Sequence, residues 1–414
     1  MKSNYKRIGD YIREVKVRNK DLSVSSLMGI NIDKYFMPSV ANTIGTDMTK
    51  YKIVEKGQFA CNRMHVGRDK RLPISLHKDN ESIIVSPAYT VFEITDERML
   101  NPEYLMMWFS RDEFDREAWF YTDSDVRGGL SLDDFFDIKI PVPSIDKQRE
   151  IVKEYNTILN RIKLNDNMIK KLEYLSKSIY KQWFEEFEFI NCYGDKYKSS
   201  GGKMKFSELG DIPEKWNIGK IGDYCKVKSG YAFKSNLWTN NGIPVIKIGS
   251  IQNNSLDINE LAYINIDSIN ISQDYEVKSG DVLIAMTGAT VGKIALVPQI
   301  SDKMYINQRV GKFDLGNDPI KKAPFLFVTL LKDYVQNDIL SVGGDSAQAN
   351  ISSDNIENLN IIMPPPEIIN EYNEQCMPLF KKIMMCVKEK IILIKLKDIL
   401  LQNLSKSMGD CNEV

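Results

Sequence analysis

The second half of this chain repeats the first at low identity but in a fixed order, and that constrains the fold more than any other feature. Lys6-Arg7-Ile8-Gly9-Asp10-Tyr11 stands near the start of one half and Gly219-Lys220-Ile221-Gly222-Asp223-Tyr224 near the start of the other. Val54-Glu55-Lys56-Gly57 recurs as Val277-Lys278-Ser279-Gly280, and Val66-Gly67 as Val291-Gly292. Leu130-Ser131-Leu132-Asp133-Asp134-Phe135 recurs as Ile351-Ser352-Ser353-Asp354-Asn355-Ile356. Pro143 falls opposite Pro364, and a long helical stretch follows each. The separations drift only between 213 (Ile8 to Ile221) and 225 (Val66 to Val291). One unit of about two hundred residues is used twice, each time as globular part, proline punctuation and long helix. A doubled unit suggests a doubled target.

With 414 residues the chain can build two or three domains with real cores, and 43% hydrophobic content keeps both halves out of the disordered class. The sequence has no apolar run of membrane length and no signal-like start, which predicts a cytoplasmic protein without a membrane partner. Six cysteines (Cys61, Cys192, Cys225, Cys376, Cys386, Cys411) form no C-x-x-C pair, so they read as reduced and mostly structural. A net charge of −1 excludes an unstructured polycation but not a local basic face. The segment 56–78 is such a face: Lys56, Arg63, Arg68, Lys70, Arg71 and Lys78 stand against Asp69 alone, with His65 and His77 among them. A solvated loop between strands is the plainer reading of the same charges.

Residues 1–143 and 206–364 read as two similar mixed α/β domains. Ile83-Ile84-Val85 and Val91-Phe92-Glu93-Ile94 have strand character, as do Ile243 to Ile248 and Asp281 to Ala285. Asn101-Pro102 caps and opens a helix through Trp108 and Phe109, and a helix from about Pro324 to Ile339 is its counterpart. Residues 144–190 form a first long helix, with Ile151, Tyr155, Ile158, Ile162, Asn165, Ile169, Leu172, Ser176, Ile179 and Trp183 spaced alternately by four and three. That is a coiled-coil seam. Residues 365–414 hold its counterpart and a tail. Tyr372, Cys376, Leu379, Ile383, Cys386, Leu393, Leu400 and Leu404 fall on the same seam at a shift of 221, joined by Lys390 and Lys397. Pro378 should bend this helix or begin its regular part. Each helix is on the order of 60 Å long and has no globular core to lie on along its length. The nearest partner of each is the other, paired antiparallel, with the two domains related by a pseudo-twofold axis. Asn165 fits a register-setting position or a wet one equally well. Residues 191–205 form the linker, Gly-rich and polar.

Chemistry-like motifs dissolve on inspection. Thr287-Gly288-Ala289-Thr290-Val291-Gly292-Lys293 is one residue short of a phosphate loop, and Ile294 stands where Ser or Thr should bind magnesium. Asn101-Pro102-Glu103-Tyr104 resembles the N-P-P-Y loop of amino-methyltransferases, but a helix cap explains it better. His65 and His77 are the only histidines, with basic rather than acidic neighbours, so no metal site or catalytic residue is expected.

The pattern resembles the specificity subunit of type I restriction–modification systems over nearly the whole chain. The resemblance rests on Gly210-Asp211-Ile212-Pro213-Glu214-Lys215-Trp216, Lys220-Ile221-Gly222-Asp223 and Val227-Lys228-Ser229-Gly230. It rests also on the close of each unit, Leu130 through Pro143 and Asn350 through Pro366. It implies two target-recognition domains, each reading half of an interrupted DNA sequence, and two paired helices whose length sets the gap. It further implies a non-catalytic subunit that binds no cofactor and docks two DNA methyltransferase subunits, on which S-adenosylmethionine is expected. Restriction–translocase subunits can join that complex.

Two modules on a fixed spacer suit two half-sites of double-stranded DNA. The candidate DNA-binding residues of the first domain are Asn62, Arg63, His65, Arg68, Lys70, Arg71 and Arg127, with Asn62 an adenine reader. Those of the second are Lys228, Tyr231, Lys234, Thr287, Lys293, Gln308, Arg309, Gln348 and Asn350. Cations would touch phosphate, and the amides would read bases or close turns. The rival reading is a coiled-coil scaffold whose globular parts bind protein.

Overall fold

The structure is a computed structural model that describes residues 5–39, 45–64, 66–122, 128–190, 193–265, 271–343 and 349–404, the side chain of Asn259 excepted. The chain divides into two compact units, residues 1–160 with 394–414 and residues 161–393. Each globular part therefore takes pieces of both long helices with it.

The core of the first unit is a four-stranded antiparallel sheet in the order Ile12–Val15, Thr90–Ile94, Phe59–Cys61, Ile74–Leu76. The second unit repeats it as Val227–Ser229, Val310–Phe313, Val282–Ala285, Ile294–Leu296, again antiparallel throughout. The central strands are buried on both faces. Phe59 and Cys61 enter one cluster and Ala60 another, just as Val282 and Ile284 separate from Leu283 and Ala285. Burial on both sides is why these strands read as unbroken apolar runs.

The rest of the unit also recurs. Tyr5–Arg7 pairs with Lys139–Pro141 as Asn217–Lys220 pairs with Asn360–Met363. Helices Pro102–Phe109 and Asp112–Phe120 match Ala323–Leu330 and Asp333–Gly343, and Leu132–Asp137 matches Ser353–Glu357. From Phe92, opposite Phe313, the shift holds at 221 through Asp112 and Asp333. Gly57 and Gly280 both turn at positive φ (86° and 87°) and donate to the carbonyls of His77 and Val297, just past the edge strands. Left-handed backbone is what glycine tolerates at no steric cost. The second repeat is larger before its central strand: the shift grows from 213 to 223, ten residues more, and Trp238–Thr239, Ile243–Ile246 and Ala262–Ile264 lie there, joined into a four-stranded sheet by Tyr305–Ile306 from beyond the central strand.

Two details differ from the sequence reading. The helix expected over 324–339 is two helices, because the N–H groups of Leu331 and Lys332 turn back to the carbonyls of Val328 and Thr329 and close the first. The first long helix spans Ile145–Phe184 and stops there, with Phe187 at φ 57°. The aromatic rings of Phe187 and Phe189 then lie 5.6 and 5.0 Å from that of Trp216. The second long helix, Pro366–Asn403, runs on through Pro378.

Within the second unit the long helices run antiparallel. Arg161 contacts Glu389 at 2.5 and 3.1 Å, Lys390 Nζ meets Asp166 at 2.5 Å, and Tyr372 Oη donates to the Ser176 carbonyl at 3.3 Å. The seam lysine Lys390 thus escapes burial by reaching a carboxylate at the rim. Asn165 is buried on the seam, its amide nitrogen without a hydrogen-bond partner. Within the first unit Ile151, Val152 and Tyr155 join a core cluster that includes Leu400, Leu401 and Leu404. Among the described residues no helix is long and apolar enough to cross a membrane.

Candidate nucleic-acid interface

In each unit the loop after the central strand is stapled to the segment that follows the second short helix. Leu130 N–H donates to the Arg63 carbonyl at 2.9 Å, and Gly67 N–H to the Gly128 carbonyl at 2.7 Å. The second unit closes the same way, Ile351 onto the Met286 carbonyl at 3.0 Å and Gly288 onto that of Ala349 at 2.9 Å. Gly67 and Gly128 approach so closely that a Cβ on Gly67 would stand 2.6 Å from the Gly128 Cα. Chain segments some sixty residues apart therefore present one surface at the strand end.

The basic segment of the first unit is not a single solvated loop. It holds strand Phe59–Cys61, a helical turn Val66–Asp69 and strand Ile74–Leu76, and its cations are largely engaged within the unit. Arg63 Nε donates to Thr90 Oγ1 at 2.9 Å and its Nη1 to the Leu130 carbonyl, so it braces the staple. Arg71 faces Asp33 at 3.4 Å, Lys78 faces Glu103 at 2.7 Å, and Lys56 bonds Asn80 at 2.7 Å. Arg68 is exposed and paired with its neighbour Asp69. Lys70, at φ 53°, holds its ammonium 4.8 Å from the centre of the Trp119 ring. Asn62 Oδ1 accepts from Met64 N–H at 3.2 Å, closing a turn. His77 is buried, its Nε2 2.7 Å from the Glu81 carbonyl. His65, Arg127 and Gln348 lie outside the described residues.

In the second unit Thr287 bridges to Asn350, and Arg309 Nη1 donates to Asn350 Oδ1 at 3.3 Å. Gln308 N–H donates to the Tyr231 carbonyl, bringing the next turn alongside. Thr287, Gln308, Arg309 and Asn350 thus lie on one strand-end surface, all but half-buried Thr287 exposed, with Lys293 exposed in the adjoining loop. Lys228 lies between Asp274 and Asp314 at 3.1 and 3.0 Å, which neutralise it. Tyr231 packs 5.0 Å from Phe233 and 5.3 Å from Tyr275, while Lys234 is exposed.

Burial pushes the thiols of Cys61 and Cys225 up to about 12, which keeps them protonated and inert. Among the described residues no group of His, Cys, Asp and Glu could hold a metal ion. Behind the surface, burial pushes the Asp281 carboxyl up to about 6 and depresses Lys312, whose Nζ reaches the Glu276 carbonyl at 2.6 Å.

Residues 213–391 match the family model for the type I restriction modification DNA specificity domain. The chain is 28% identical over 235 residues to the type I restriction enzyme MjaVIII specificity subunit of Methanocaldococcus jannaschii, covering 56% of this chain and 52% of that one. It thus spans about half the length of that relative. The HindI specificity subunit of Haemophilus influenzae is 19% identical, covering 96% of this chain and 97% of its own. In fold, the chain is similar to the S subunit of the type I restriction–modification system from M. genitalium, with a TM-score of 0.57 at 14% identity over 97% of this chain and 95% of that one. The family model touches only the second repeat, and the shared strand order extends the same architecture to the first.

Proposed function

We propose that this chain, like the type I restriction–modification specificity subunits it resembles, reads an interrupted DNA sequence, one half with each repeat. The observation that carries this is the recurrence of one sheet, one pair of helices and one stapled loop at the same strand end. Two such readers joined by long helices suit two half-sites separated by unread base pairs. Phosphate contacts would come from Arg68, Lys70 and Arg71 in the first repeat and from Lys234, Lys293 and Arg309 in the second. Gln308 and Asn350 are the base-reading amides.

The partners are two copies of a DNA methyltransferase subunit, which would carry S-adenosylmethionine; this chain contributes recognition, not catalysis. Matched aliphatic positions on the two long helices support a doubled partner. Leu164 and Leu175 are exposed, and so are Met385 and Leu396 at the same shift of 221. Like positions suit like copies. A protein-binding scaffold would need none of the strand-end cations.

Methylome sequencing of cells carrying this chain with its methylating partner returns target and gap together. Inserting four residues beside Asn165 should change the gap and leave both half-sequences intact. An unchanged gap would overturn the spacer reading.

A further inference from the structure

We propose that the exposed apolar ends of helices Asp112–Phe120 and Asp333–Gly343 are a matched pair of DNA contacts that pack against bases, one in each half-site. This rests on the reading of the chain as a DNA-recognition subunit, and adds residues and a kind of contact which that reading does not contain.

The two helices correspond residue for residue. Phe114 and Ala118 are buried, and so are Val335 and Ile339 opposite them. Past those anchors each helix turns large apolar side chains into solvent: Trp119, Phe120 and Tyr121 at 41, 81 and 42% exposure, Leu340 and Val342 at 53 and 43%. Leu340 lies opposite Trp119 and Val342 opposite Tyr121. Exposure repeated at the same place in two diverged copies is not an accident of one loop. Clustered apolar exposure marks a surface that something covers.

Both ends border the stapled loop. In the first unit Lys70 lies over the Trp119 ring, and Asp115 Oδ1 accepts from Leu72 N–H at 3.0 Å. In the second, Gln336, opposite Asp115, donates to the Gly292 carbonyl at 3.3 Å. Each helix is thereby fixed to the segment that carries the candidate phosphate contacts. Apolar side chains flanked by cations fit duplex DNA, where they meet thymine methyls or wedge between bases while cations hold the backbone. Identical protein partners would select like residues in the two copies. Here Trp119 corresponds to Leu340, Phe120 to Ser341 and Tyr121 to Val342 in the repeat, the divergence expected of readers of two different half-sequences.

The test uses the full chain in complex with its methylating partner, on its cognate duplex and on duplexes with either half-site scrambled. Trp119→Ala with Tyr121→Ala should lower cognate affinity roughly tenfold or more and leave the salt slope unchanged, since apolar contacts release no counterions. Leu340→Ala with Val342→Ala should do the same. Scrambling one half-site should abolish the effect of one double variant and not of the other. Unchanged affinity would overturn the proposal. So would loss of methylating subunit from the complex on size exclusion, which would assign the patch to protein. A wild-type complex that fails to distinguish cognate from scrambled duplex would sink the underlying DNA reading as well.

Discussion

Lys34 and Asp115 form a buried ion pair that fixes helix Asp112–Phe120 in the first unit, with Nζ to Oδ1 at 2.8 Å and side chains 7 and 8% exposed. Lys34 also donates to the Phe109 carbonyl, and Asp115 also accepts from Leu72 N–H. Asp115→Ala would strand an ammonium in the core and orphan that N–H. Removing one partner of a buried pair costs about 3–5 kcal/mol, of which the orphaned N–H accounts for about 1–3 kcal/mol. Burial already lowers the Lys34 pKa, and Asp115 is the main group opposing that shift. Without Asp115 the pKa falls further. A lysine whose folded pKa lies below its unfolded value costs stability fully at low pH, and the cost fades as pH rises through the folded value toward the unfolded one. The deficit of Asp115→Ala should therefore shrink as pH rises toward the ordinary lysine value of 10.5. Lys34→Met with Asp115→Asn removes both charges and keeps an oxygen for Leu72, so it should lie within about 1–2 kcal/mol of wild type. Hydrogen exchange on the full chain reads this locally. The amides of Phe59–Cys61 and Thr90–Ile94 report the first unit, and those of Val282–Ala285 serve as an internal control. A double variant as weak as Asp115→Ala would refute the stranded-charge argument.

Asp281 titrates near 6 in the fold against 3.8 unperturbed, so its ionisation costs the second unit about 3 kcal/mol. A raised acid pKa means stability present below about pH 4 and lost as pH climbs through 6. Asp281→Asn, which keeps an oxygen for the Lys278 N–H, should erase that slope in exchange at Val282–Ala285; an unchanged slope rejects it. Gly67→Ala forces the staple against Gly128 open and should cost about 1–3 kcal/mol in the first unit, with methylation lost at sites that need its half-sequence; normal methylation would show that the staple does not shape the reader. Arg68→Ala with Arg71→Ala should weaken DNA binding and lower the salt slope by about 1–2. If both hold at wild-type values, those arginines serve only their pairs with Asp69 and Asp33.

The strands and the long helices were legible because their signals are local. Asn101 caps Pro102–Phe109 with its side chain, as its place before Pro102 predicts. Ile151 and Tyr155 are spaced for the seam, and both pack in the first-unit core. Lys390, a charge on the seam, is satisfied by Asp166 from the other helix, a partner 224 residues away that no local pattern names. Asn62 shows the same limit at the site: its amide was read as facing adenine, and in the fold it closes a turn onto Met64. The apolar helix ends at Trp119 and Leu340 escaped notice, although carrying the 221-residue shift through the short helices would have set them side by side.

What the amino-acid order determined by itself is the duplicated plan, since alternation, helical spacing and punctuation are short-range and survive divergence as a pattern. Tertiary structure alone decided which charges remain available. Arg63 is held by Thr90 and Leu130, and Lys228 by Asp274 and Asp314. Whether a cation can meet a phosphate depends on carboxylates and carbonyls brought beside it by folding, and their distance along the chain carries no trace of that meeting.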